Sequence, residues 1–377
     1  MANPADLFVF WTVVLLRLLI PLAIPRFPLP AIIAALLLDA VDQTVFQVFT
    51  TMPLDNYQSY DKALDIYYLA IAYIATLRNW TNLAAFRISR FLFYYRLVGV
   101  VLFELTQARW LLLLFPNVFE YFFIAYEAYS LRWDPRKLAR RAWLGTAAFI
   151  WIVIKLPQEY WLHVAQLDVT DVLKTNVLGY PPATPWSAIL SANLLGFGLL
   201  VFGLALLGIF LWRRLRARLP APDWPFSFAA DAHLPAIRER NVRTMQRFLA
   251  RRFFDRELLE KTVLVTLLVI IFSNMLSNMA LGSLEVVLGV ILVILINTLV
   301  SEIMVRRGAS WSTALRQGAI MMAVNTPTLA VVAFLRHGPL SWSAVSDVLI
   351  FALLLSLIIT LYDRYRPIHL VRFIAAY

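Results

Sequence analysis

Apolar runs of eighteen or more residues recur along this sequence, and nothing else in it restricts the fold as strongly. About 20 apolar residues rising 1.5 Å each cross the ~30 Å hydrocarbon core of a bilayer, where a helix satisfies its own backbone hydrogen bonds. Eleven segments meet this pattern, at about 7–24, 29–50, 62–80, 82–105, 109–131, 141–157, 186–212, 262–280, 283–304, 312–335 and 341–362. Composition agrees: 61% of the 377 residues are hydrophobic and 15% are charged, against about 25% charged in soluble chains. Alternating ten-residue segments, the signature of a membrane barrel, are absent. The sequence therefore predicts an all-α, polytopic helical membrane protein with about 11 transmembrane helices.

The net charge of +11 is distributed in a way that sets an orientation. Basic residues crowd every second loop: Arg132, Arg136, Lys137, Arg140 and Arg141, then the 213–261 stretch, then Arg306, Arg307 and Arg316, then the C-terminal arginines. The excess of Lys and Arg in cytoplasmic loops places the N-terminus outside and the C-terminus in the cytoplasm of a multi-pass cell-membrane protein. The same rule accounts for the charge without nucleic acid as a partner. No cysteine is present and the four histidines are not spaced as ligand pairs, so no metal site and no cofactor is indicated.

Three regions follow. Residues 1–212 form a charge- and aromatic-rich bundle of seven helices, interrupted by an external amphipathic connector at 157–185. Residues 213–261 begin with Pro220, Pro222 and Pro225 and continue as a basic amphipathic helix. Its apolar face holds Ile237, Val242, Met245, Leu249 and Phe253, flanked by Arg238, Arg243, Arg247 and Arg251. That arrangement suits a helix lying in the cytoplasmic headgroup layer, with anionic lipids of the bilayer as partners. Residues 262–377 form an apolar four-helix segment.

The segment 29–50 carries an anomaly: Asp39, Asp42, Gln43 and Gln47 form one polar stripe at helical spacing. Charge within a bilayer faces the protein interior or a water-filled cavity, so other helices must answer it. Counting residues from helix ends places Arg17, Arg96, Asn117 and Glu120 at its level. Asp55, Asp61, Asp65 and Glu104 form an acidic group nearer the outer face, with Lys155 beside them. Arg87 and Arg90 approach the level of Glu127, nearer the cytoplasm.

The chemistry of this ladder is less defined than its place. Nucleophile elbows, phosphate-binding loops, dinucleotide loops and paired-histidine zinc motifs are all absent, so no catalytic residue is assigned. Intramembrane acid–base pairs suit proton or cation coupling. The leading expectation is transport of a polar or charged solute. One alternative is a membrane-embedded transferase or hydrolase acting on a lipid-linked substrate from the outer face, where the paired carboxylates 39/42 and 61/65 would hold Mg²⁺. A second is a structural subunit of a membrane complex, with the charges closed into a network that fixes helix register. Only 12 glycines occur, and helix breaks of the kind carriers use are offered only by Pro116-Asn117 and Asn325-Thr326-Pro327.

Overall fold

A computed structural model of the chain describes residues 4–50, 55–165, 169–216, 219–250, 256–275, 292–293, 295–297, 299–300, 314–337 and 342–374. All regular structure among them is helical. The principal helices are α1 (Pro4–Leu19), α2 (Pro28–Phe49), α3 (Asp55–Asn79), α4 (Leu83–Thr106), α5 (Trp110–Leu114), α6 (Val118–Ser130) and α7 (Arg140–Phe149). They continue with α8 (Trp186–Ala192), α9 (Leu194–Arg216), α10 (Glu239–Ala250), α11 (Arg256–Met275), α12 (Ala314–His337) and α13 (Trp342–Ile374).

Four helices among the described residues are long and apolar enough to cross a membrane by length and composition: Asp6–Ala23, Trp110–Ser130, Leu194–Arg214 and Val345–Phe373. This falls short of the eleven spans expected. The segments read at 62–80 and 82–105 are long helices, but α3 opens on the polar run Asp55–Lys62 and α4 carries Arg87, Arg90, Arg96 and Glu104. The segment at 141–157 changes from α-helix to π-helix at Ile150–Lys155, and most of 283–304 lies outside the described residues.

α3 is the axis of the bundle. From Tyr67 to Ala75 it is buried on every face, and it packs against α1, α2, α4, α11 and α13. A helix apolar all round belongs at such a centre. Aromatic rings lock it to its neighbours: Tyr73 stacks on Phe93 of α4 at 4.4 Å, and Trp80 stacks on Tyr126 of α6 at 3.8 Å. α9 is the opposite case, with Leu194 74% and Leu195 80% exposed and none of its apolar stretch buried.

Local chemistry sets the helix ends. Pro28 opens α2, where its missing N–H costs nothing. Asn82 caps α4 by accepting from the Ala85 N–H at 3.0 Å, and its amide donates to the carbonyls of Pro135 and Leu138. The bundle end of α4 is thereby tied to the loop that starts α7. Gln107 closes α4 in the left-handed region, with φ 55°.

The connector at 157–185 is helical where it is described: α-helical at Leu156–Glu159, π-helical at Tyr160–Val164, α-helical at Val169–Val172 and π-helical at Leu173–Val177, with 166–168 outside the described residues. Among the described residues the basic amphipathic helix is α10, which opens at Glu239, after Ile237 and Arg238, and packs against α13. Val242, Met245 and Leu249 are half-buried, and Arg238, Arg243 and Arg247 are exposed. Arg251 and Phe253 lie outside the described residues. Ahead of α10, residues 219–234 form a strap over the loop after α6. Trp224 donates to the Ser130 carbonyl at 3.0 Å, the Asp134 N–H donates to Asp223 at 2.7 Å, and Lys137 pairs with Asp223. His233 stacks on Trp224 at 4.5 Å.

Candidate functional site: an arginine-centred carboxylate cluster beside a broken helix

Arg17, in the last turn of α1, is 4% exposed and joins three helices through one guanidinium. Its Nη2 donates to Asp39 at 2.6 Å and also to Asp65, and its Nη1 donates to Asp42. Asp39 and Asp42 come from one face of α2, and Asp65 from α3. Asp42 is buried, whereas the Asp39 and Asp65 side chains are 31% and 37% exposed, so the cluster is open on one side. A planar fork of five donors on a permanent charge suits such multiple carboxylate contacts.

One helical turn along α3 from Asp65 lies Tyr68, buried, whose hydroxyl donates to Glu120 Oε1 at 2.8 Å. Asn117 donates to the other Glu120 oxygen at 2.8 Å. Glu120 occupies the first turn of α6, the positive end of that helix dipole. It stands there because the segment read as one helix at 109–131 is broken between Leu114 and Val118, at Pro116-Asn117. Proline removes a donor and frees carbonyls of the preceding turn. α4 satisfies two of them: Arg96 donates to the Phe115 carbonyl at 2.9 Å, and Tyr95 to that of Leu114 at 2.8 Å. Gly99 of α4 allows this approach, since a Cβ there would sit 2.1 Å from Phe115 Cβ.

A third group closes the arc. Lys155, at the end of the π-helical turn, lies 3.6 Å from Glu159 and 3.1 Å from Gln158, and its ammonium sits 4.5 Å from the Tyr121 ring centre. Lys155 and Glu159 are 4% and 5% exposed. Arg96 and Lys155 both interact electrostatically with Glu120 and Glu159. π-Turns inside helices recur at functional sites because they re-aim side chains.

The structure thus unites Arg17 with Asp39 and Asp42, as depth counting expected, and pairs Asn117 with Glu120. Asp65, which the sequence grouped with Asp55, Asp61 and Glu104, pairs with Arg17; it lies ten residues into α3, which starts at Asp55 and not at 62. Arg96 turns to the Phe115 carbonyl and makes no ion pair among the described residues. Glu127 is not met by Arg87 or Arg90; it accepts from Trp80 Nε1 at 2.8 Å, and Arg90 faces Glu260 at 3.5 Å. Glu104 lies in the last turn of α4. The side chains of Gln43, Gln47, Asp55 and Asp61 lie outside the described residues. Sequence reasoning placed Glu159 in an external loop and missed it as a site residue; its i,i+4 spacing from Lys155 was the available signal.

No family model, curated protein or solved structure matches the chain. The site stands on its geometry alone. Among the described residues, no group of three or more His, Asp or Glu side chains is placed to hold a metal ion.

Proposed function

We propose that the chain is a multi-pass cell-membrane protein, N-terminus outside and C-terminus cytoplasmic, that moves a polar or charged solute with coupled proton or cation movement. Asp39, Asp42 and Asp65 around Arg17, together with Tyr68, Glu120 and Asn117, form the coupling site. One observation carries the reading. Tyr68 bonds Glu120 at the mouth of a broken helix, one turn from an aspartate held by Arg17. Carboxylates and phenols in succession inside a bilayer are the makings of a proton relay, and discontinuous helices with dipole ends near the midplane recur at solute and ion sites in carriers. The fully exposed apolar surface of α9 supports the bilayer placement, because a soluble chain rarely leaves so long an apolar face in water.

Purified protein reconstituted in liposomes with an internal pH dye, under a valinomycin-clamped potential, tests the proposal. Native protein is expected to acidify the lumen faster than protein-free vesicles do. Glu120→Gln, which keeps shape and removes the ionisable group, is expected to slow this by about tenfold or more. Asp223→Asn, in the strap, is expected to leave the rate unchanged. Native vesicles that acidify no faster than empty ones across imposed proton and salt gradients would overturn the reading.

A further inference from the structure

α4 and α7 start side by side, tied through Asn82, and run on from the same end. Between them lies an open cavity of about 610 Å³. Its walls are two helical stripes facing each other. One is Ala84, Arg87, Ile88 and Phe91 on α4; the other runs from Arg140 through Leu144 and Ala148 of α7 to Trp151 just beyond it. The groove continues along α4 past Phe91 to Tyr95 and Val98, in a second cavity of about 460 Å³ that shares Arg87. Small residues at Ala84, Ala147 and Ala148 make the walls recede.

The two ends differ in chemistry. Arg87 and Arg140 sit within the first two turns of their helices, both exposed, and neither makes a hydrogen bond or ion pair with any described residue. Among the described residues, no acidic one lines the groove. From Arg140 to Trp151 the wall is apolar for about 16 Å of helix rise, the reach of an extended acyl chain of roughly a dozen carbons. Guanidinium pairs bind phosphate with fork geometry, and a basic headgroup site above an apolar slot is complementary to an amphiphile carrying a phosphate.

We propose that the α4–α7 groove holds one anionic phospholipid, its phosphate between Arg87 and Arg140 and one acyl chain along Phe91, Leu144, Ala148 and Trp151. This requires a bilayer around α4 and α7 but no flux through the α1–α3 cluster, so failure of the transport reading leaves it intact.

The test uses the full chain in nanodiscs doped with a photoactivatable phosphatidylglycerol or with phosphatidylcholine bearing the same photoactivatable acyl chain, and maps cross-linked peptides by mass spectrometry. Native protein should capture phosphatidylglycerol in 83–92 and 140–151 about tenfold more than phosphatidylcholine. Arg87→Gln with Arg140→Gln should bring the two lipids level. Ala148→Phe, which fills the slot without touching charge, should lower capture of both, and excess inorganic phosphate should leave capture unchanged. Equal capture by the native protein would reduce the groove to ordinary boundary lipid and overturn the proposal. A preference that survives the double substitution would do the same. So would label confined to 239–250, loss of capture to inorganic phosphate, or absence of lipid label from both segments, the last meaning that another protein chain covers the groove.

Discussion

Arg17 holds α1, α2 and α3 together through contacts to three carboxylates, so its removal strands buried like charge as well as losing bonds. Arg17→Met is expected to destabilise the protein by about 3–5 kcal/mol, the cost of leaving a buried charge without its partner. Chemical denaturation in detergent measures this. Adding Asp42→Asn to Arg17→Met should recover part of the loss, because the stranded charge is then smaller; an additive double variant would show that the two do not act as a pair. Gly99 makes a second residue-level prediction. Gly99→Ala drives a methyl into the Cβ of Phe115 and should cost about 1–3 kcal/mol by overpacking, and adding Phe115→Ala should leave most of that cost in place because alanine keeps the clashing Cβ. Much of this residue chemistry was legible beforehand: the 39/42 stripe and its arginine follow from helical spacing and depth. The Arg17–Asp65 contact and the burial of Glu159 are less legible, because α3 begins at Asp55, ahead of its apolar stretch, and Glu159 is buried in a segment whose polarity reads as an external loop.

At the scale of elements, the strap at 219–234 is built to respond to pH. Lys137, in the loop under the strap, holds the Asp223 carboxyl below the usual range through its hydrogen bond. Asp223 therefore supports docking at any pH above about 3.9 and loses that support only in stronger acid. Burial against Trp224 lowers the pKa of His233 instead. The released strap binds a proton more readily than the docked one, so docking is complete at pH 7.5 and weakens as pH falls below about 6.5. Hydrogen exchange of the 219–236 peptide should accelerate between pH 7.5 and 5 after correction for intrinsic rates, and His233→Gln should flatten that change. Acceleration that persists in the variant would assign the response elsewhere. Element identity was largely readable from hydropathy, since every described helix longer than fifteen residues falls on a predicted apolar segment. What hydropathy does not carry is internal irregularity: the gap at Pro116-Asn117 and the π-turn at Ile150–Lys155 leave average apolarity unchanged.

At the scale of the whole molecule, orientation is testable because the chain contains no cysteine. Single-cysteine variants can be labelled in intact cells with a membrane-impermeant maleimide. Gln58→Cys, ahead of the buried part of α3, should react from outside; Gln246→Cys, on α10, should react only after permeabilisation. The reverse pattern would invert the topology. The sequence made the helical class plain, yet it offered no means of telling which helix the others gather around. Burial of α3 depends on contacts from α11 and α13 that no local pattern encodes.

The position of α3 also imposes a timetable. Arg372 reaches back to the carbonyl of Trp80 across 292 residues, and Tyr73 finds Glu260 across 187. At about 5–20 residues per second of synthesis, α3 waits roughly 15–60 seconds between its own emergence and the arrival of α13. Until α11 arrives its polar residues and aromatic faces have only the earlier helices for company, and until α13 arrives the flank that α13 covers stays open. A nascent chain halted before residue 342 therefore presents the insertion and quality-control machinery with an uncovered core helix.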